Sequence, residues 1–355
     1  MNQHRRTSLV AQHLPENRIF SSPFRPAWWL SNRHAQTIFP SLPWSGIPKV
    51  KLKSEPLELP DGDVTMVDWM VGGPPVDTGA PLLIILHGLE GSANSSYARS
   101  LLHAAADMGW RAAVLHFRDC GDYRNRLPRR YHAGETNDIR FFVESLRTAG
   151  HEGPLMAAGF SLGGSVLLKY LGENGVSTPL HAAAAISVPF SLHDSSVALS
   201  NGFSNIYQYY LLKRMKKAIR RKFDQHTAAF DWDRAMSARS FSEFDDAVTA
   251  PLHGFSGKDE YYDRCSSIGF LAEIRRPTLI INALDDPFMT PASIPGEERL
   301  SEDVRIEVSS AGGHVGFVSG GLPWRAEYYL PSRIIAFLDS CISDSAQVGR
   351  PLPSM

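Results

Sequence analysis

The chain has 355 residues, 43% of them apolar and 21% charged, which is the make-up of an ordinary globular protein able to bury a large core. Its 36 basic side chains almost balance 37 acidic ones, so no net field recruits nucleic acid or a strongly acidic partner. Cys120, Cys265 and Cys341 are odd in number, far apart and without CxxC or Cys/His clustering, which argues against a disulfide framework and a zinc site and for a reducing compartment.

The N-terminal stretch MNQHRRTSLVAQHLPEN carries charge with no continuous apolar run behind it, unlike a signal peptide. The longest apolar runs, at 82–86 and 182–186, are too short to span a bilayer. The expectation is a soluble cytoplasmic protein, with peripheral membrane contact left open. Residues 1–50, rich in Pro and Trp, read as an arm laid over the core by Trp28, Trp29, Phe39 and Trp44.

A regular rhythm follows. Segments 57–59 and 64–69 flank Pro60-Asp61-Gly62-Asp63, which predicts a β-hairpin. The bare apolar run 81–86 (PLLIIL) predicts a strand buried on both faces. Helices are predicted over 95–108, 136–148 and 162–171, and strands over 111–115, 155–158 and 182–187. Strands 277–282 and 304–309 and a closing helix around 328–340 complete the pattern. Strands alternating with helices predict an α/β fold with a mostly parallel sheet covered by helices on both faces, the opening hairpin adding antiparallel strands at one edge. Residues 51–188 and 277–345 form this core.

The interruption at 189–276 exceeds an ordinary βα connection and predicts an inserted helical cap or lid. Within it Leu211, Met215, Ile219 and Phe223 recur at i+4, opposite a stripe of Lys213, Lys216, Lys217 and Arg220. A cap helix with a solvated basic face is the simpler reading, a membrane-docking surface the sharper one. Phe203, Tyr207, Tyr209, Tyr210 and Phe223 are the expected lining of an acyl pocket.

Gly159-Phe160-Ser161-Leu162-Gly163-Gly164 fits G-x-S-x-G between an apolar strand and a helix. Such a strand-to-helix turn needs glycines because side chains would collide there, and it lifts a serine hydroxyl to a helix N-terminus. By itself the pattern is also met by a Gly-rich turn with a capping serine. Position supplies the rest. His87-Gly88-Leu89-Glu90-Gly91 follows strand 81–86, with His87 expected to brace the loop rather than react. Asp285-Asp286-Pro287 follows strand 277–282; either acid suits a triad carboxylate, the one before Pro287 better, although a turn-initiating pair also fits. Gly312-Gly313-His314-Val315-Gly316 follows strand 304–309. Ser161, Asp286 and His314 thus come in the order nucleophile, acid, base, each at a strand end.

That order resembles the α/β-hydrolase fold, whose oxyanion hole takes one amide after the nucleophile and one from the loop after the 81–86 strand, here Leu162 and Leu89. More narrowly, the chain resembles the YheT-like branch of that superfamily, serine esterases by expectation whose eukaryotic relatives act on lipids. The residues carrying this likeness are Phe24-Arg25-Pro26-Ala27-Trp28-Trp29-Leu30, 34–37 (HAQT), 87–92, Phe117-Arg118-Asp119-Cys120-Gly121, Tyr131-His132, 134–136 with Asp138, 159–164, 241–245, 249–252, Gly254-Phe255, 285–288 and 312–317. The resemblance implies a nucleophile at Ser161, an acid at Asp286 and a base at His314. One departure is Asp119, where such proteins usually have Gly; an added carboxylate there alters substrate preference or only reshapes a loop. Cys120 reads as a buried packing residue.

The chemistry implied is ester hydrolysis through an acyl-enzyme, with no metal or organic cofactor, on a small-molecule or lipid ester of short to medium acyl chain. An acyltransferase using an alcohol acceptor and a non-catalytic lipid-binding protein are the alternatives.

Overall fold

The computed structural model describes residues 15–75 and 78–348; the first fourteen residues of the expected arm lie outside it. A nine-stranded sheet runs in the order β1 (Ile19–Ser21), β9 (Val304–Ser309), β8 (Thr278–Ala283), β7 (Ala182–Ile186), β6 (Leu155–Phe160), β4 (Leu82–Leu86), β5 (Arg111–Leu115), β3 (Val64–Met70), β2 (Leu52–Glu58). The pairs from β1 to β5 are parallel, while β3 joins β5, and β2 joins β3, antiparallel. The predicted hairpin therefore closes one edge.

Alternation along each strand builds two cores. Leu82, Ile84 and Leu86 face one side, with Ile139, Phe142 and Leu146 of α3 (Asn137–Thr148) and Val166, Leu167 and Tyr170 of α4 (Leu162–Asn174). Leu83 and Ile85 face the other, with Leu101 and Leu102 of α2 (Ser96–Asp107) and Ile334, Phe337 and Leu338 of α11 (Tyr329–Val348). Every residue of β4 is fully buried, the reason its sequence is unbroken Leu and Ile.

Two pieces left no readable pattern. β1 is only three residues long and pairs through Ile19↔Ile306 to Ser21↔Val308 at the far edge. The hairpin β10 (Val318–Leu322) and β11 (Arg325–Tyr328) contains Gly320 and Gly321 and little apolar alternation. The arm packs on this hairpin: Trp29 donates from Nε1 to the Gly321 carbonyl at 3.1 Å, and Phe39 lies edge-on to Trp29. Trp28 and Trp44 do not join it. They are 82% and 62% exposed, a correction to the expected four-residue clamp. A short helix, α1 (Arg33–Ile38), is capped by Asn32, whose Oδ1 accepts from the His34 and Ala35 amides.

Between β7 and β8 the chain is largely helical: α5 (Leu192–Leu199), α6 (Ser204–Lys222), α7 (Trp232–Ser237), α8 (Phe241–Phe244), a π-helical turn at Asp245–Thr249, α9 (Ala250–Leu252) and α10 (Lys258–Cys265). These helices gather Leu199, Leu212, Met215, Ile219, Phe241 and Val248 into a cluster of their own, in contact with Leu89 and Phe288 of the loops below. Lys216 leaves the expected basic stripe: its Nζ donates to the Met236 carbonyl at 2.9 Å and to that of Ala238. Lys213, Lys217 and Arg220 stay exposed.

Candidate active site

Close approach between α4 and the strands shapes the turn at Ser161. A Cβ on Gly159 would lie 2.4 Å from the Gly163 carbonyl oxygen, and one on Gly163 2.5 Å from those of Leu86 and His87. Only hydrogen fits at either position. The turn leaves Ser161 at φ 53°, ψ −120°, outside the regions that side chains favour. Its amide donates to the Ile186 carbonyl at 2.8 Å, which pins the strained residue to β7.

The structure brings together the three side chains singled out from sequence. Ser161 Oγ lies 2.9 Å from His314 Nε2, and His314 Nδ1 lies 2.8 Å from Asp286 Oδ2. A neutral imidazole that accepts from the serine carries its proton on Nδ1 and donates it to the carboxylate. Asp286 is 2% exposed, and its other oxygen accepts from the Phe288 amide at 2.8 Å. The Phe288 ring lies flat on the imidazole, centroids 3.9 Å apart at 5° between planes. Asp285 stands beside this line rather than in it: its Oδ1 accepts from the Gly313 amide, and burial raises its carboxyl above the usual carboxylate range.

The loop bearing His314 is fixed by three consecutive amides. Gly313 donates to Asp285, His314 to Thr37 Oγ1 at 2.9 Å, and Val315 to Ser187 Oγ at 3.0 Å. Thr37 in turn donates to the Arg33 carbonyl at 2.8 Å. A Cβ on Gly313 would meet that same carbonyl and Thr37 Oγ1 at 2.5 and 2.6 Å. Thr37, Ser187 and Phe288 were not recognised from sequence as parts of a site, although HAQT and the 285–288 segment belong to the motifs quoted above.

On the loop after β4, Gly88 donates to Tyr97 Oη at 2.8 Å, Glu90 to Tyr131 Oη at 2.7 Å and Gly91 to the Gly88 carbonyl. Among the described residues, the amides of Leu89 and Leu162 have no acceptor. His87 is fully buried, accepts from the Phe117 amide through Nε2 and donates through Nδ1 to the Gly88 carbonyl. Burial lowers its pKa to about 3, so it stays neutral as a brace for this loop.

Asp119, the departure from pattern, sits at φ 63°, where glycine is at ease. Its buried carboxylate accepts from Arg130 Nε at 2.9 Å and Arg221 Nη2 at 3.1 Å, tying the last turn of α6 to this loop. It does not line the cavity over Ser161. Cys120 beside it is buried, and burial pushes its thiol well above the ordinary range.

A cavity of about 120 Å³ opens over Ser161 and His314. Its walls include Leu89, Leu162, Leu211, Met215, Phe241 and Phe288. None of the five aromatics expected there lines it; Phe203, Tyr209 and Tyr210 point to solvent instead, 49–68% exposed.

Residues 81–321 match the family described as alpha/beta hydrolase fold. The chain belongs to the α/β-hydrolase family. Within the family it is 40% identical over 316 residues to the protein named "Putative esterase YheT" of Escherichia coli, covering 88% of this chain and 92% of the relative. A mouse protein named phospholipase ABHD3 is 29% identical, covering 90% of this chain and 78% of the relative. Among solved structures, an esterase of Pyrococcus furiosus superposes with a TM-score of 0.51 at 15% identity, covering 84% of this chain and 90% of that one, a likeness of fold.

The contact between Thr37 and the His314 amide gives an α/β-hydrolase loop an anchor in the N-terminal arm. Thr37→Val should lower kcat/KM on a p-nitrophenyl ester about two- to tenfold, the worth of one hydrogen bond, and Thr37→Ser should restore most of it. Equal activity of Thr37→Val and wild type would show that the anchor does not matter.

Proposed function

We propose that the protein is a serine hydrolase of carboxylic esters in which Ser161 is the nucleophile, His314 the general base and Asp286 the carboxylate that orients it. The unbroken line of contacts from Ser161 Oγ through His314 to Asp286 carries this reading. His314 Nε2 takes the serine proton as Oγ attacks the ester carbonyl, and the imidazolium is stabilised by Asp286. The amides of Leu89 and Leu162 receive the developing oxyanion, as unpartnered donors beside the nucleophile. His314 then returns the proton to the leaving alcohol, and water, activated by the same base, releases the acid. The residues 189–276 serve as the cap over the acyl site.

The substrates proposed are lipid esters met at an anionic membrane surface. The ester-hydrolase names of relatives support the class, and the outer face of α6 supports the setting. Phe203, Ile206, Tyr209 and Tyr210 are 49–68% exposed at its beginning, and Lys213, Lys217 and Arg220 are exposed along its remainder. Apolar side chains with flanking cations suit an interfacial helix. No helix among the described residues is long and apolar enough to cross a membrane.

Two measurements test these proposals. Asp286→Asn should lower kcat on the order of 10⁴-fold, because Asn holds the imidazole in the wrong tautomer. Asp285→Asn keeps an acceptor for Gly313 and should lose less than about tenfold; the reverse ranking would move the acid to Asp285. In co-sedimentation with phosphatidylserine-containing vesicles, the wild type should bind in a salt-sensitive way. Replacing Lys213, Lys217 and Arg220 with Gln should weaken binding on the order of a hundredfold, at about 1 kcal/mol per cation. Lys216 stays unchanged because it holds α7. Equal recovery in the supernatant with anionic and neutral vesicles would contradict the membrane setting.

A further inference from the structure

The cavity over Ser161 has mostly apolar walls, with polar side chains besides Ser161 and His314 among them. Ser195 and Ser196 of α5, Asp245 and Thr249 of the π-helical turn, and Tyr262 of α10 also line it. Asp245 Oδ1 accepts from Thr249 Oγ1 at 2.6 Å and Oδ2 from Tyr262 Oη at 2.9 Å. Among the described residues no cation pairs with this carboxyl, and burial pushes it up to about 6. The Ser195 hydroxyl, in a residue only 7% exposed, has no hydrogen-bond partner.

A pocket meant only for hydrocarbon gains nothing from these groups. A buried hydroxyl without a partner, and a buried carboxyl with hydrogen bonds but no countercharge, each cost stability that apolar replacements would not. The π-helical turn, which places Asp245 and Thr249 at its two ends, is an unusual backbone feature that tends to accompany function. Asp245 can accept further hydrogen bonds and Ser195 can both donate and accept. A hydroxyl can donate to a carboxyl and accept from a serine, whereas a methyl group can do neither.

We infer that the polar patch formed by Ser195, Asp245 and Tyr262 is a specificity site that recognises a hydroxyl group on the ester held over Ser161. The inference rests on the proposed role of Ser161. The hydroxyl can belong to the acyl chain or to the alcohol, depending on which part of the ester lies against the patch.

Two substrate pairs separate these sources: p-nitrophenyl ω-hydroxyhexanoate against p-nitrophenyl hexanoate, and glyceryl monohexanoate against propyl hexanoate. kcat/KM is measured for each with the full chain, as wild type, Ser195→Ala and Asp245→Asn. The wild type should prefer the hydroxylated member of one pair by about tenfold or more, and the pair concerned identifies the moiety at the patch. In both variants that preference ratio should fall at least threefold. Ser195→Ala removes only an unpartnered hydroxyl, so it carries the test even if Asp245→Asn folds poorly. Equal or inverted preference in both pairs, or a preference that both variants keep, overturns the inference. Failure of the underlying reading looks different: Ser161→Ala would then hydrolyse all four esters like the wild type.

Discussion

The imidazole of His314 sits on a loop without regular structure, so the site exists only because that loop has one conformation. Three side chains from distant parts of the chain impose it, by accepting the amides of Gly313, His314 and Val315 in succession. Asp285 comes from the end of β8, Ser187 from the end of β7, and Thr37 from α1, in the arm between β1 and β2. Each contributes about a hydrogen bond's worth of free energy. Together they remove the freedom that would let Nε2 drift from Ser161. Phe288 adds a flat wall that fixes the ring plane. On the opposite side, the glycines around Ser161 allow α4 to come so close to the strands that the serine is forced to positive φ.

This arrangement explains how the arm and the helices between β7 and β8 bear on the site. α1 supplies Thr37, and its neighbour Gln36 is buried, bonding to Leu30 and to both backbone groups of Val318. His34 reaches Tyr207 of α6, whose ring contacts Phe288. Ser204, at the start of α6, donates to the Pro287 carbonyl, and Arg221, near its end, holds Asp119. The long helix is thus fastened at one end to the loop after β8 and at the other to the loop after β5.

Most of the central sheet was legible because each strand is buried on both faces and reads as an apolar run bounded by turns. Leu82–Leu86, Arg111–Leu115 and Val304–Ser309 fall within a residue of their predicted limits. β2 starts earlier than predicted because it is an edge strand, with alternating exposure and a proline, Pro56, that leaves little apolar pattern. β1 is held by tertiary pairing alone. That Ser161, Asp286 and His314 lie together was legible from motif and order, each standing on the loop or turn after a strand. Thr37 and Ser187 were not, because a hydroxyl accepting one backbone amide has no sequence signature. The cavity lining was not legible for a similar reason: helical periodicity tells which face is apolar, yet the solvent-facing Tyr209 and Tyr210 show that it does not tell which aromatics face Ser161.

The central claim is that Ser161 is the nucleophile, activated through His314. Treatment of the full chain with a fluorophosphonate probe, followed by peptide mapping by mass spectrometry, tests it most directly. The account predicts one adduct, on Ser161, with labelling lost in Ser161→Ala and slowed by orders of magnitude in His314→Ala. An adduct on another residue, or undiminished labelling of Ser161→Ala, would contradict it.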